Sequence, residues 1–544
     1  MNKDVQIFDS TLRDGAQGEG ISFSVEDKLK IVMALDELGV HTIEAGNPGS
    51  NPKDQEFFDR VRALKLRRAR LAAFGSTRRP RIAAAEDENV RSLLRAETPV
   101  VAIFGKSWNF HVGRVLRTGL DENLNMIRDT IAFFKAEGKD VVFDAEHFFD
   151  GAKADEDYAF RTLEAAAEGG ADCLVLCDTN GGCFPFEIHR LTGKAVGSFP
   201  IPIGIHCHND SGMAAANSFM AVEAGARHVQ GTLVGIGERC GNASLATIIP
   251  VLQLKKGYRC VPDEALSRLT AIARLVSEVA NLPLPASSPF VGKSAFAHKG
   301  GMHIDGVLKD PRTFEHVDPA ALGNERRFLM SEVSGRSLIM TKVRKIDPGL
   351  DKDSKESREI VDLLKDMEHR GYQYEGAESS FELLVRRHLN AHRPFFTLDK
   401  FTVIDEQGVR KGDRASSALV IVDVGGTRKV AGAEGDGPVH ALDRALRGAL
   451  EGFFPQLGSM HLTDYKVRVL NPEDATAAKV RVWVESTDGR ESWTTVGVSP
   501  NILEASCRAL VDSIEYKLVK DAQPTRDAGL PDDPSIIKGE QPCP

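Results

Sequence analysis

The chain has 544 residues, of which 42% are hydrophobic and 27% charged, with a formal net charge of −9. This length calls for two or three domains, and the composition is that of an ordinary globular protein. The acidic balance lacks the basic footprint of a nucleic-acid binder, and no apolar run approaches the ~20 residues of a membrane span, so neither is expected as a partner.

The first residues, Met1-Asn2-Lys3-Asp4, lead into a strand-like run without an apolar stretch behind a basic head, so no signal peptide is expected. The eight cysteines are scattered and do not form a small disulfide framework; Cys173 and Cys177 read as buried thiols, and the expected setting is a reducing cytoplasm.

From residue 5 to about 255, short β-branched runs alternate with amphipathic stretches. Strands are predicted at Val5 to Asp9, His41 to Ala45, Arg70 to Gly75, Val100 to Gly105, Asp140 to Asp144, Asp172 to Cys177, Ile201 to His206 and His228 to Leu233. The helix between the first two has Ser24 as N-cap, Asp27 three residues on, apolar residues from Val25 to Leu38 at helical spacing, and Gly39 as its stop. Eight such units in about 250 residues match a (β/α)8 TIM barrel. A doubly wound sheet would want a Gly-rich dinucleotide fingerprint after the first strand, and none is there. The catalytic barrel is assigned to 1–282.

Residues 283–392 open with Pro283, Pro285 and Pro289, followed by the Gly- and His-rich segment Ser294 to Gly306. They are read as a linker and helical subdomains contributing to the active site. Residues 393–520 read as an α+β regulatory domain, with strands at Thr397 to Ile404, Ala418 to Val424, Tyr465 to Leu470, Val480 to Glu485 and Trp493 to Val498. Helices at Pro438 to Leu450 and Asn501 to Val519 suggest a duplicated strand–strand–helix unit. The proline-rich and charged stretch 521–544 is expected to be a disordered tail.

A barrel collects its chemistry at the C-terminal ends of its strands. Arg13 and Asp14 follow strand 1, Glu44 ends strand 2, and Asp144 to His147 follow strand 5. Thr179 ends strand 6, and His206-Cys207-His208 ends strand 7. Residues two apart in a strand share a face, so both imidazoles point one way and Cys207 the other. Closure of the barrel would add Asp14 from the neighbouring strand. Such a mixed oxygen and nitrogen set with open positions suits Mg²⁺, Mn²⁺ or Zn²⁺ and leaves room for a chelating substrate.

A guanidinium beside a metal ligand needs a negative neighbour, so Arg13 either stabilises a developing oxyanion or pairs structurally with Glu44 or Glu146. Thr179 would bind a substrate carboxylate or cap a turn. The glycine-rich Gly235-Ile236-Gly237-Glu238-Arg239-Cys240-Gly241-Asn242 lacks phosphate-loop spacing, but can bring Asn242 close to a metal.

Phe8 to Gln17, His206 to Gly212 and Gly235 to Asn242 together resemble the family of 2-isopropylmalate, homocitrate and citramalate synthases, and the resemblance spans nearly the whole chain. Within it, Asp14 to Ser24, Phe74 to Arg79 and Phe104 to Trp108 are most similar to the long-form citramalate synthases. The resemblance implies a divalent ion on Asp14, His206 and His208, with Asn242 as a further ligand or near neighbour. It implies Arg13, Glu146 and His303 as catalytic residues, and Thr179 on the keto-acid carboxylate. Some members carry a tyrosine shortly after the turn matched by Leu322-Gly323; Arg326 stands there in this chain, so no catalytic tyrosine is carried over.

The implied reaction is a Claisen condensation of acetyl-CoA with a small 2-oxo acid, then thioester hydrolysis, serving isoleucine biosynthesis. Phe74, Phe104 and Phe143 are expected to fill the pocket and favour pyruvate over branched acids. Isopropylmalate or homocitrate synthesis, hydroxy-acyl-CoA cleavage on a related barrel, and a non-catalytic amino-acid sensor are the alternatives. The C-terminal domain implies a homodimer and an amino-acid effector, isoleucine or leucine, with Gly432 to Gly437 and Val496 to Pro500 as effector loops.

Overall fold

The structure, a computed structural model, describes residues 3–50, 52–329, 343, 346, 349–350, 354–407, 414–470, 472–489 and 491–522. The expected tail from 523 onward lies outside the described residues. The chain divides into two compact units: residues 1–297 with 314–327, and residues 298–313 with 328–544.

The first unit is a closed barrel of β1 (Gln6–Asp9), β2 (Thr42–Glu44), β3 (Arg70–Ser76), β4 (Val100–Lys106), β5 (Asp140–Glu146), β6 (Cys173–Asp178), β7 (Ile203–Cys207) and β8 (His228–Gly231). Neighbouring strands are parallel throughout, and β8 closes onto β1 with Gln6 opposite His228 and Asp9 opposite Gly231. All eight predicted strands are present, shifted by a few residues at their ends. The helix Val25–Leu38 carries the expected capping box, Ser24 receiving the Asp27 amide while the Asp27 carboxylate receives that of Ser24, and it ends on left-handed Gly39.

Two apolar layers follow from strand alternation. Phe8, Ala72, Ala102, Val142, Val175 and Cys177 point inward and fill the barrel, with Phe74 above them. Val141, Phe143, Ala145, Leu174 and Leu176 point outward into the shell of helices. Cys173 and Cys177 are buried free thiols in the inner layer, as expected.

In the second unit, β9 (Thr397–Gln407), β10 (Arg414–Val424) and β11 (Thr427–Gly435) form one antiparallel sheet. A second consists of β12 (His461–Val469), β13 (Val480–Thr487) and β14 (Ser492–Ser499). The helices Pro438–Leu450 and Ile502–Asp521 cover one face of the sheets through Val420, Val422, Leu442, Leu446, Val484, Leu510 and Ile514. The repeat is therefore strand–strand–strand–helix. Sequence patterning missed β11 because its glycines, alanines and charges give no apolar alternation, and the segment read as an effector loop from Gly432 belongs partly to that strand. Ile404, Leu419, Val430, Tyr465, Val467 and Val469 remain exposed on these strands. Among the described residues no helix is long and apolar enough to cross a membrane.

Candidate active site

The C-terminal ends of the barrel strands enclose a cleft of about 360 Å³. Arg13, Asp14, Phe74, Phe104, Glu146 and Thr179 line it together with His206 and His208. At its floor the Asp14 carboxylate lies 3.2 Å from His206 Nε2 and 3.7 Å from His208 Nε2. One ligand atom from each of the three falls within 4.8 Å of the others, and all three side chains are buried. Cys207 packs outward, as the alternation requires.

The electrostatics suit a cation. Burial opposes charge on Asp14, but Arg13 and the hydrogen bond from His206 outweigh it and hold the carboxyl well below its ordinary range. Burial, aided by the neighbouring His206, pushes His208 down to about 4, so that imidazole is neutral at physiological pH and free to ligate. Among the described residues the buried Asn242 Oδ1, an oxygen able to ligate a cation, has no protein partner. A buried polar atom in that state costs about 1–3 kcal/mol unless something binds it. Asn242 pairs with His208 through an isolated antiparallel bridge, which brings the loop onto the histidine strand. The loop needs its glycines there: a Cβ on Gly237 would strike the Asn242 amide, and one on left-handed Gly241 would strike the Gly235 carbonyl. The donor set fits a divalent ion.

Arg13 forms the ion pair with Glu44 and also reaches the cleft. Its Nε donates to Glu44 at 2.6 Å, and its guanidinium lies 3.8 Å from the centroid of the Phe74 ring while lining the cleft. Glu44, fully buried, also accepts from the Ser10 hydroxyl. Glu146 is paired with Lys106 and not with Arg13. The Thr179 hydroxyl accepts the His147 amide at 2.9 Å and still has its proton to donate; it therefore steadies a turn and faces the cleft at once. His147 itself sits in the left-handed region, a conformation uncommon outside glycine that this bond helps to hold.

Phe74 and Phe104 stack at 5.2 Å across one wall. Phe143 does not join them. It points away from the barrel interior and packs over Gly105 and Ile127, because it lies between the inward Val142 and Asp144 on β5. His303 lies in the first turn of the helix Gly301–Lys309, in the second unit, whereas every cleft-lining residue belongs to the first. Arg326 is bound to Glu315 by two contacts of 2.6 and 2.7 Å.

Sequence reasoning gives Asp144 a place at the end of strand 5 without a role, and does not reach Gln230. Gln230, fully buried on β8, accepts from His206 Nδ1 at 2.9 Å and donates to Asp144 at 2.8 Å. Burial and the nearby Glu44 charge push Asp144 up to about 7. Their signal was available only in the inward parity of β5 and β8.

Comparison with known proteins agrees with this geometry. Residues 4–276 match the HMGL-like family, residues 290–372 the homocitrate synthase post-HMGL domain-like family, and residues 375–518 the LeuA allosteric (dimerisation) domain. The (R)-citramalate synthase of Aquifex aeolicus is 50% identical over 524 residues, covering 96% of this chain and 99% of its own. This chain belongs to the citramalate synthase family. The (R)-citramalate synthases of Geobacter sulfurreducens and Synechocystis sp. are each 50% identical as well, over 95% and 94% of this chain and 98% and 96% of theirs. Family membership places a divalent-metal-dependent acyltransferase barrel ahead of an allosteric domain, in the order the two units display.

Proposed function

We propose that the protein condenses acetyl-CoA with pyruvate and hydrolyses the thioester, releasing citramalate and CoA for isoleucine biosynthesis. The observation that carries this reading is the coincidence of a metal-competent Asp14–His206–His208 cluster with Arg13 and a narrow aromatic wall in one cleft. Half-identity with citramalate synthases along nearly the whole chain supports it.

Asp14, His206 and His208 would hold Mg²⁺, Mn²⁺ or Zn²⁺, with Asn242 as a further ligand or neighbour. A divalent ion there supplies Lewis-acid polarisation of the keto oxygen. Arg13, held charged by Glu44 and Asp14 against the cost of burial, faces the cleft to stabilise negative charge developing on oxygen. Thr179 donates its hydroxyl proton to the substrate carboxylate. A base takes one proton from the acetyl methyl, the new carbon–carbon bond forms at the keto carbon as its C=O π bond opens, the alkoxide so formed takes up a proton, and water then displaces CoA, which leaves as the thiol. Glu146, in the cleft, is proposed for acid–base work, and the family resemblance supports His303 for the same role. The stacked Phe74 and Phe104 would narrow the pocket in favour of a methyl over an isopropyl group, which supports pyruvate as the keto acid.

Within the second unit, residues 375–518 are the regulatory part. Its exposed apolar sheet positions, Ile404, Leu419, Val430 and Val467 among them, support a homodimer that covers them. The effector is isoleucine or leucine. CoA release measured with pyruvate and with 2-oxoisovalerate, across several divalent ions, tests the central reading. Higher kcat/KM for pyruvate is expected; higher efficiency with the branched acid overturns it.

A further inference from the structure

His206 and His208 are the same residue type on the same strand, yet their second nitrogens are treated differently. Among the described residues His208 Nδ1 has no hydrogen-bond partner. His206 Nδ1 meets the Gln230 side-chain oxygen at 2.9 Å, and Gln230 Nε2 donates to Asp144 Oδ1 at 2.8 Å. Gln230 is completely buried and Asp144 nearly so. The three side chains come from β7, β8 and β5, on the inner wall of the barrel.

From this network we infer that Gln230, oriented by Asp144, is a positioning residue that selects the metal-competent form of His206. A neutral imidazole carries one N–H, and its location decides which nitrogen is left to bind a cation. An amide oxygen facing Nδ1 requires the proton there, which leaves Nε2 bare on the side of Asp14. An amide is ambiguous by itself, because its two ends are nearly isosteric and turning it would present a donor to Nδ1. Asp144 removes the ambiguity: its oxygen accepts from the amide nitrogen and so points the amide oxygen at His206. A partner of this kind on a ligating histidine is worth about 10–100-fold in metal affinity. The unpartnered Nδ1 of His208 leaves the choice of tautomer in the pair to Gln230.

The inference rests on the metal reading above, and Mn²⁺ titration of the metal-free full chain by calorimetry separates the two. If the wild type binds no Mn²⁺, the metal reading fails and this one with it. Given wild-type binding, Gln230→Met is expected to weaken Mn²⁺ about 10–100-fold. Gln230→Glu, which still offers an oxygen to Nδ1–H, is expected to stay within about threefold of wild type. Wild-type affinity in Gln230→Met, or an equal loss in both variants, would overturn the assignment. Thermal unfolding in chelator reports whether the variants fold. Should Gln230→Met fail to fold, Asp144→Asn decides: it keeps the volume but lets the amide turn, so an affinity about 3–10-fold below wild type is expected, and an unchanged one refutes the relay.

Discussion

Phe104 and Phe74 share a wall but do not share a job. The Arg13 guanidinium lies 3.8 Å from the centroid of the Phe74 ring, whereas Phe104 lines the cleft and carries the Lys106 ammonium 5.4 Å from its own ring centroid. Phe104→Ala should therefore enlarge the pocket without releasing Arg13. The expected outcome is a gain for 2-oxoisovalerate relative to pyruvate of about 10–100-fold in kcat/KM, the scale of about 1–3 kcal/mol per methylene in an apolar pocket; parallel assays of both acids check it. Asp9 gives a prediction about stability. Burial pushes its carboxyl up to about 7, against hydrogen bonds from the amide and hydroxyl of Thr11. The folded state thus keeps a proton between about pH 4 and 7 that the unfolded chain has already released, and this group's contribution falls as pH rises through that window. Asp9→Asn removes the loss: relative to wild type it should gain about 1–3 kcal/mol between pH 5 and pH 8, read from denaturant unfolding at the two values. The site's polar ends were legible in the sequence because Arg13, Asp14, His206 and His208 each fall at a strand end. Gln230 was not, since a glutamine in an apolar strand carries no chemistry until its neighbours are known.

At the scale of elements, the Gly235–Asn242 loop behaves as a built part of the site. Its glycines let the backbone fold tightly enough to set Asn242 against His208. Gly241→Ala places a side chain in the left-handed region and against the Gly235 carbonyl. It should cost about 1–3 kcal/mol of stability and weaken Mn²⁺ binding; a variant with unchanged thermal unfolding and unchanged affinity would show that the loop adapts freely. Strand and helix positions in the barrel were largely readable, because β-branched runs and helical spacing alternate cleanly and caps such as Ser24 mark the ends. Which face of a strand looks inward was read poorly where bulky residues occupy successive positions. Bulk and a position near a strand end point Phe143 towards the pocket, while the parity of Val142, Asp144 and Glu146 turns it outward. β11 was overlooked for the opposite reason, since its pairing with β10 depends on backbone hydrogen bonds that small and charged residues do not advertise.

For the whole molecule, an effector bound to the second unit must act on the first through a coupling free energy that runs both ways. Isoleucine titrated into the full chain should give a calorimetric isotherm and weaken pyruvate binding, and pyruvate should in turn weaken isoleucine binding by the same factor. An absence of heat with both isoleucine and leucine would sink the effector assignment. Sequence alone determined the kind of protein this is: eight strand–helix units, a histidine pair preceded by an Arg-Asp step, and a trailing α+β segment. These are local patterns, set by side-chain period and by which residue types chemistry requires. Only tertiary structure decided how the groups act together. Barrel closure sets Asp14 of the first strand's end beside histidines almost two hundred residues away, ties Arg13 to Glu44, and threads His206 through Gln230 to Asp144. Those contacts join distant strands, and spacing along a chain carries no record of which strands will meet.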